Sequence, residues 1–320
     1  MRETVLQIFG NEKDLWFSIK PLITGSRQPK ASLEEQIHAR TDSGDKFCSF
    51  EISPPKSELD TCQLLRRLHS LYNICSPLFT AVTWHLDASM SASVYMQILA
   101  GNHRALRLAA AIGNINSVLL HLSCVGLTKR QVLQVLWCAS DVGIRNIFAL
   151  HGDRPAKINK FIFSSGFRYA TDLVSFMHEK FGDYFTICVA GYPLGHPDGV
   201  SFEQDLLHLK EKVDVGASFI ITQFFFEVST FVNFVQWCRR IGITVPIIPG
   251  IMLIQDYPSL MHISRVCSVK VPKEVLDIIE PIKDNHEAVR KFGVHLAVQM
   301  VSHIFSYNYS CGAHFFTLNR

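Results

Sequence analysis

The chain has 320 residues, 48% hydrophobic and 18% charged, with a formal net charge of +3. That suffices for one large domain or two ordinary ones, while so small and scattered a charge excludes a nucleic-acid footprint. The longest apolar runs are about strand length, short of the roughly 20 residues of a membrane span, so a soluble protein is expected.

Residues 1–45 read as a polar, partly disordered tail carrying one short helix beside the domain. The first twenty residues lack the apolar stretch of a secretion signal, being interrupted by Glu3, Glu12 and Asp14. Ser32 followed by Glu35 has capping-box spacing and predicts the helix. From residue 46 onward, β-rich runs alternate with amphipathic segments. The runs are FCSFEI (47–52), LFTAVTW (78–84), SVLLHLS (117–123), IRNIFAL (144–150), YFTICVA (184–190), SFIITQFFF (218–226), VPIIPGI (245–251) and AHFFTL (313–318). Helical patterns lie between them at 62–73, 129–140 and 202–213, the last opened by Ser201 with Gln204 in capping-box spacing. Eight strands alternating with helices over about 275 residues predict a (β/α)8 barrel of the TIM type, which needs roughly 250. A doubly wound sheet is the runner-up. It would call for a Gly-rich turn after the first strand, where EISPPKSE stands.

Barrels of this kind carry their chemistry at the C-terminal ends of the strands. There the sequence places Glu51 and Lys56, then Thr83 and Trp84, then His121. Farther along come His151-Gly152-Asp153, Tyr192 and His196, Gln223, and finally Phe316 to Arg320. Singly, each has a bland explanation: Glu51 pairing with Lys56, His121 as a core histidine, Asp205 and Lys212 as solvated helix charges. Their convergence on one rim favours a site. No H-x-H marks the first strand and no carboxylate cluster joins the histidines, so a catalytic metal is not expected. The nine cysteines form no C-x-x-C pair and are irregularly spaced. They read as reduced thiols of a cytoplasmic protein.

With these edges in view, the chain resembles the catalytic domain of the methylenetetrahydrofolate reductase family of flavoproteins. The matching stretches are FEISPPK, VTWHLDA, NIFALHGD, FGDYFTICVAGYPLGHP, SFEQDLLHLKEKVDVGASFIITQFFFE, VPIIPGIMLIQ, IEPIKDN and HFFTLNR, in family order from about residue 46 to the last. The resemblance implies that Glu51 is a general acid, protonating the folate nitrogen so that the imidazolidine ring opens. That role asks for a carboxyl protonated near neutral pH, and the apolar flanks of Glu51 are compatible with it. By the same resemblance, Asp153 stabilises the charged folate, and Gln223 holds pterin and nicotinamide in turn, giving ping-pong kinetics. Contacts to FAD fall to Thr83, Trp84, His121, His151, Gly152, Asp153, Tyr169, Ala170, Tyr192, His196, Asp205 and Lys212. Substrate contacts fall to Glu51, Lys56, Gln223, Phe316 and Arg320. The reductant would be NADPH or NADH. The implied partners are small molecules alone, with neither nucleic acid nor membrane, and a homo-oligomer is compatible.

The chain departs from the family at three places on the rim: His151 stands for an arginine, Ser53 and Lys56 for Phe and Arg, and Phe316 for a tyrosine. Losing planar guanidinium groups weakens bidentate hydrogen bonding. The resemblance also implies a barrel that stops before its eighth helix and lacks the S-adenosylmethionine-binding domain of eukaryotic members. Two competing readings remain. One is a truncated, catalytically weak relative that binds folate or a full-length subunit. The other is a different flavin barrel, which would leave FEISPPK and AGYPLGHP unexplained.

Overall fold

The structure, a computed structural model, describes residues 31–84, 103–152 and 166–319. Eight parallel strands close into a barrel in sequence order. They are β1 (Phe47–Ile52), β2 (Phe79–Val82), β3 (Ser117–Ser123), β4 (Asn146–Leu150), β5 (Thr186–Gly191), β6 (Phe219–Phe224), β7 (Ile247–Met252) and β8 (Gly312–Phe316). The helices are α1 (Leu33–Ser43), α2 (Glu58–Cys75), α3 (Arg104–Gly113), α4 (Lys129–Asp141), α5 (Ala170–Phe181), α6 (Phe202–Asp214), α7 (Val228–Arg240), α8 (Tyr257–Val266), α9 (Lys273–Ile279) and α10 (His286–Ser306). The expected (β/α)8 architecture is therefore the one observed. Parallel strands cannot be joined by tight hairpins, so each connection crosses over outside the sheet, where an amphipathic helix covers it.

Period-two alternation sorts the strand residues. On β1, Ile52 joins the large core between sheet and helices, whereas Phe47 points inward with Phe79, Leu119, Phe148, Cys188, Phe219, Ile221 and Ile248. Ser49 shares the inward parity of Phe47 and lies in register with His314, and Glu51 with Ala81 and Phe316.

α1 reaches farther into the fold than its polar composition suggests. Its two apolar residues, Leu33 and Ile37, are one turn apart and pack into the barrel interior at 2% and 1% exposure. At about 1.5–3 kcal/mol each, they close the N-terminal end of the barrel. The helix is set by the full box: Glu35 N–H donates to Ser32 Oγ (3.1 Å) and Ser32 N–H to Glu35 Oε2 (2.6 Å). Glu34 Oε2 accepts from Ser218 Oγ (2.8 Å), tying α1 to the start of β6. At α6 only half of the expected box forms, Ser201 Oγ accepting from Gln204 N–H (3.2 Å). All nine cysteines are free thiols. No helix of the described residues is long and apolar enough to cross a membrane.

Candidate active site

The centre of the rim is built by three strands that the sequence keeps far apart. Glu51 on β1 is 18% exposed at its side chain, and its Oε2 lies 3.5 Å from Nε2 of His121 on β3. His314 on β8 brings its Nε2 to 3.9 Å of the same oxygen. His314 is fully buried, and its Nδ1 is hydrogen-bonded to Ser49 Oγ at 2.8 Å. Lys56, the partner that local spacing suggests for Glu51, is instead exposed, with its carbonyl accepting from Arg104. A histidine, not a lysine, sits beside the carboxyl.

The arc from β2 to β5 carries the residues expected around a cofactor. Thr83 Oγ1 donates to Ser53 Oγ (2.9 Å). Trp84 is buried and stacks on His103, ring centroids 3.9 Å apart and 19° from parallel. His103 caps α3, its Nδ1 accepting from Ala105 N–H (3.3 Å), and burial lowers its pKa to about 4, so the ring stacks in its neutral form. Among the described residues, Trp84 Nε1 is buried without a hydrogen-bond partner. His121 stands edge-on to Phe148 at 4.7 Å. The carbonyl of His151 accepts from Ser123 Oγ (3.1 Å) and Val125 N–H (2.8 Å). Gly152 follows at φ +90°, and a Cβ there would lie 1.9 Å from Ser123 Oγ. Only glycine fits that close approach. Asp153, the next residue, lies outside the described residues.

Beyond β5, Tyr192 stands edge-on to His196 at 4.6 Å, and His196 N–H donates to Asp205 Oδ2 (2.6 Å). Lys212 sends its amine inward to the Ala190 carbonyl (2.8 Å). Asp205 and Lys212 are thus built into the β5–α6 junction and are not loose surface charges. Tyr169 is 46% exposed and stacks on His208 at 5.8 Å, and Ala170 opens α5 beside it.

Burial holds the Lys212 amine well below its usual range, at about 8, against the weaker opposing pull of Cys188 and Asp205. Between about pH 8 and 10.5 only the unfolded chain keeps this proton, so stability should rise with pH across that window. Lys212→Met is expected to remove that rise and to stabilise the protein at pH 7 by on the order of 1–3 kcal/mol, since the charged buried amine is gone. Thermal melts of both proteins from pH 7 to 10.5 check this; parallel curves would show that the amine is not the titrating group.

On the far side, Gln223 of β6 uses Oε1 to accept from Phe224 N–H (2.9 Å). Phe316 of β8 lies edge-on to His314 (5.2 Å) and to Phe224 (6.4 Å). After β8 the chain is stitched to β1. Thr317 Oγ1 donates to the Glu51 carbonyl (2.6 Å), Asn319 Nδ2 donates to the Ser53 carbonyl (2.7 Å), and Ser53 N–H donates to Asn319 Oδ1 (2.8 Å). Leu318 and Asn319 both adopt positive φ, at 52° and 60°, to make the stitch. Asn319→Ala should cost about 1–3 kcal/mol, because both Ser53 backbone groups lose their partner. The melt should show that loss, and amide exchange at Ser53 should quicken; unchanged exchange would mean that the loop is held elsewhere. Arg320 lies outside the described residues.

Two features escape the sequence. Nothing there singles out His314, although the alternation in AHFFTL gives it the inward parity of Phe316. The Ser53–Asn319 stitch joins residues 266 apart and has no local signal.

The family model for methylenetetrahydrofolate reductase matches residues 36–320. The chain is 36% identical over 297 residues to methylenetetrahydrofolate reductase (NADH) 1 of Arabidopsis thaliana, covering 89% of this chain and 48% of the relative. It is 38% identical over 288 residues to a probable methylenetetrahydrofolate reductase (NADPH) of Caenorhabditis elegans, covering 90% and 42%. The chain thus spans about half the length of these relatives or less. A Clostridium thermocellum protein whose structure binds two copies of 5-methyl-5,6,7,8-tetrahydrofolic acid superposes with a TM-score of 0.57 at 11% identity, covering 88% of this chain and 93% of that one. That likeness speaks for the barrel alone.

Proposed function

Because the chain belongs to the methylenetetrahydrofolate reductase family, we propose that it reduces 5,10-methylenetetrahydrofolate to 5-methyltetrahydrofolate, with FAD as the carrier and a reduced nicotinamide as the electron source. The observation that carries this reading is Glu51, a carboxyl held at the inner rim 3.5 Å from His121. A carboxyl in that position can hand a proton to a ring nitrogen of a substrate lying over the mouth of the barrel.

The residues present fit a flavin dinucleotide. Lys212 is an inward-pointing cation whose amine meets a neutral carbonyl, and such a group gains from an anion such as a diphosphate. Gly152 leaves room where any side chain would collide with Ser123. The indole N–H of Trp84 offers a buried donor at the same rim. When bound, the flavin would supply the hydride.

The chain's own residues then have these roles. Glu51 delivers a proton to the folate nitrogen and opens its ring, making the carbon electrophilic. His121, beside that carboxyl, holds it in place. Gln223 offers an amide to the pterin and, in alternation, to the nicotinamide. Phe224 and Phe316 form an apolar wall that orients the flat ring and sheds water. Asp153, by the family resemblance, would balance the positive charge that develops on the folate. A single shared face would make the kinetics ping-pong.

The purified protein tests this directly. It should be yellow, bleach under NADPH or NADH, and regain colour when methylenetetrahydrofolate is added. A colourless protein that still binds folate would instead support the alternative, a folate-binding or subunit-binding relative without turnover.

A further inference from the structure

We propose that a cavity at the N-terminal end of the barrel binds a small thiol peptide with two carboxylates and one ammonium, of the glutathione class, and that Cys311 on its wall captures that thiol as a mixed disulfide. The cavity measures about 640 Å³, within the roughly 300–1,000 Å³ of small-molecule pockets. It lies where the end of α1, the end of α7 and the turn from α10 into β8 meet, at the opposite end of the barrel from Glu51.

The charges set the ligand class. Arg239 and Arg240 of α7 line the cavity, and so does Asp42 of α1. Cations in the last turn of a helix are ordinary, but these two lack acidic partners. Among the described residues, none of the three side chains forms an ion pair. Arg239 spends Nη1 on two neutral carbonyls, those of Ile243 (2.6 Å) and Val245 (3.1 Å), which leaves its Nε–Nη2 edge without a partner among the described residues. Such an edge pairs with a carboxylate through two parallel hydrogen bonds. Arg240 rests against the ring of Trp237, its Cζ 4.8 Å from the centroid. Two guanidinium groups and one carboxylate around one cavity complement a ligand with two carboxylates and one ammonium.

The thiol completes the match. Cys311 lines the same cavity, half-buried and free. Lys46 Nζ donates to its Sγ from 3.9 Å, and an ammonium there balances the negative charge on an attacking sulfur. Burial pushes the thiols of Cys48, Cys124, Cys138, Cys188 and Cys238 up, so they resist forming the thiolate that attacks. Cys75 is exposed, and its Sγ donates to the Leu71 carbonyl (3.4 Å), which makes it the internal reference. The oxidant is the symmetrical disulfide of the peptide, one half of which occupies the cavity. Cys311 gives its proton to water and its sulfur attacks the nearer peptide sulfur. The peptide S–S bond breaks as the new one forms, and the other peptide sulfur leaves as a thiolate with the electron pair. Cys311 is oxidised and the departing thiol is reduced.

The test exposes the whole protein to glutathione disulfide and, separately, to the uncharged hydroxyethyl disulfide. Peptide mass spectrometry follows mixed-disulfide formation at Cys311 and at Cys75. The ratio of the Cys311 rate to the Cys75 rate should be at least about tenfold higher with glutathione disulfide, the lower end of what a charged cleft adds to an encounter rate. Arg240→Gln and Asp42→Asn both alter exposed side chains. Each should slow the reaction of Cys311 with glutathione disulfide by about two- to fivefold, the worth of an exposed ion pair, and leave its reaction with the uncharged reagent unchanged. A ratio within about twofold for the two reagents overturns the proposal, and that comparison needs no variant. So does a Cys311 that neither reagent modifies. Rates untouched by both substitutions, or slowed equally for both reagents, overturn it as well.

Discussion

Glu51→Gln is expected to leave the reduction of bound flavin by nicotinamide intact and to slow folate reduction by at least about 10²–10⁴-fold, the range of a lost general acid. Glutamine has nearly the shape of the protonated carboxyl. It still offers an oxygen or a nitrogen towards His121 and His314, so the packing around β1 and β8 should persist. What it lacks is an acidic proton. The nicotinamide half-reaction transfers hydride alone and needs none, whereas opening the folate ring requires protonation of a nitrogen. Rapid mixing can follow each half-reaction by flavin absorbance. Equal slowing of both would assign Glu51 to cofactor placement instead.

The second large effect concerns Gly250, on the inner wall of β7. Its amide donates to Thr222 Oγ1 (3.0 Å), and it pairs with both Phe224 and His314 where the β6–β7 register shifts. A Cβ here would lie 2.2 Å from the Thr222 carbonyl oxygen and 2.6 Å from the Phe316 ring. A side chain can rotate away, but a backbone carbonyl in a ladder cannot. Gly250→Ala should therefore cost about 3 kcal/mol, the upper end of ordinary overpacking. The melting temperature should fall by about 4–6 °C. Because the strands forced apart carry Gln223 and Phe316, affinity for folate should drop with it. A melting temperature within about a degree of the parent would mean that β6 and β7 separate freely, which a packed barrel does not allow.

The strands are legible because each apolar run is short, β-rich and broken by polar or Gly/Pro residues, and each observed strand lies within two residues of its run. Period-two alternation then tells which side chains point inward, so the rim positions of Glu51, His121 and Gln223 follow from the sequence. Partnerships do not follow. Lys56 suggests itself beside Glu51 because local spacing is what a sequence displays. The basic groups actually near that carboxyl come from β3 and β8, and only barrel closure brings those strands round to β1. The reach of α1 is hidden for another reason. Two apolar residues one turn apart in a polar stretch are too few to announce a buried face, yet the narrow end of a barrel accepts only about that many.

The pairing of β1 with β8 also bears on how this molecule folds during synthesis. Ser49 and His314, which meet across that seam, are 265 residues apart. No local event can form their contact, and closing so long a loop is slow as well as entropically costly. Until the last strand arrives, β1 and β7 are open sheet edges, and the interior ring of Phe79, Phe219 and Ile248 is exposed at its widest gap. During synthesis every earlier strand must wait in this open form, which is sticky by the same apolar surface that later becomes the core. During synthesis the seam holding the candidate acid is thus among the last sheet contacts that the chain can close. Substitutions there should reduce the yield of folded protein more than they lower the melting temperature of what does fold.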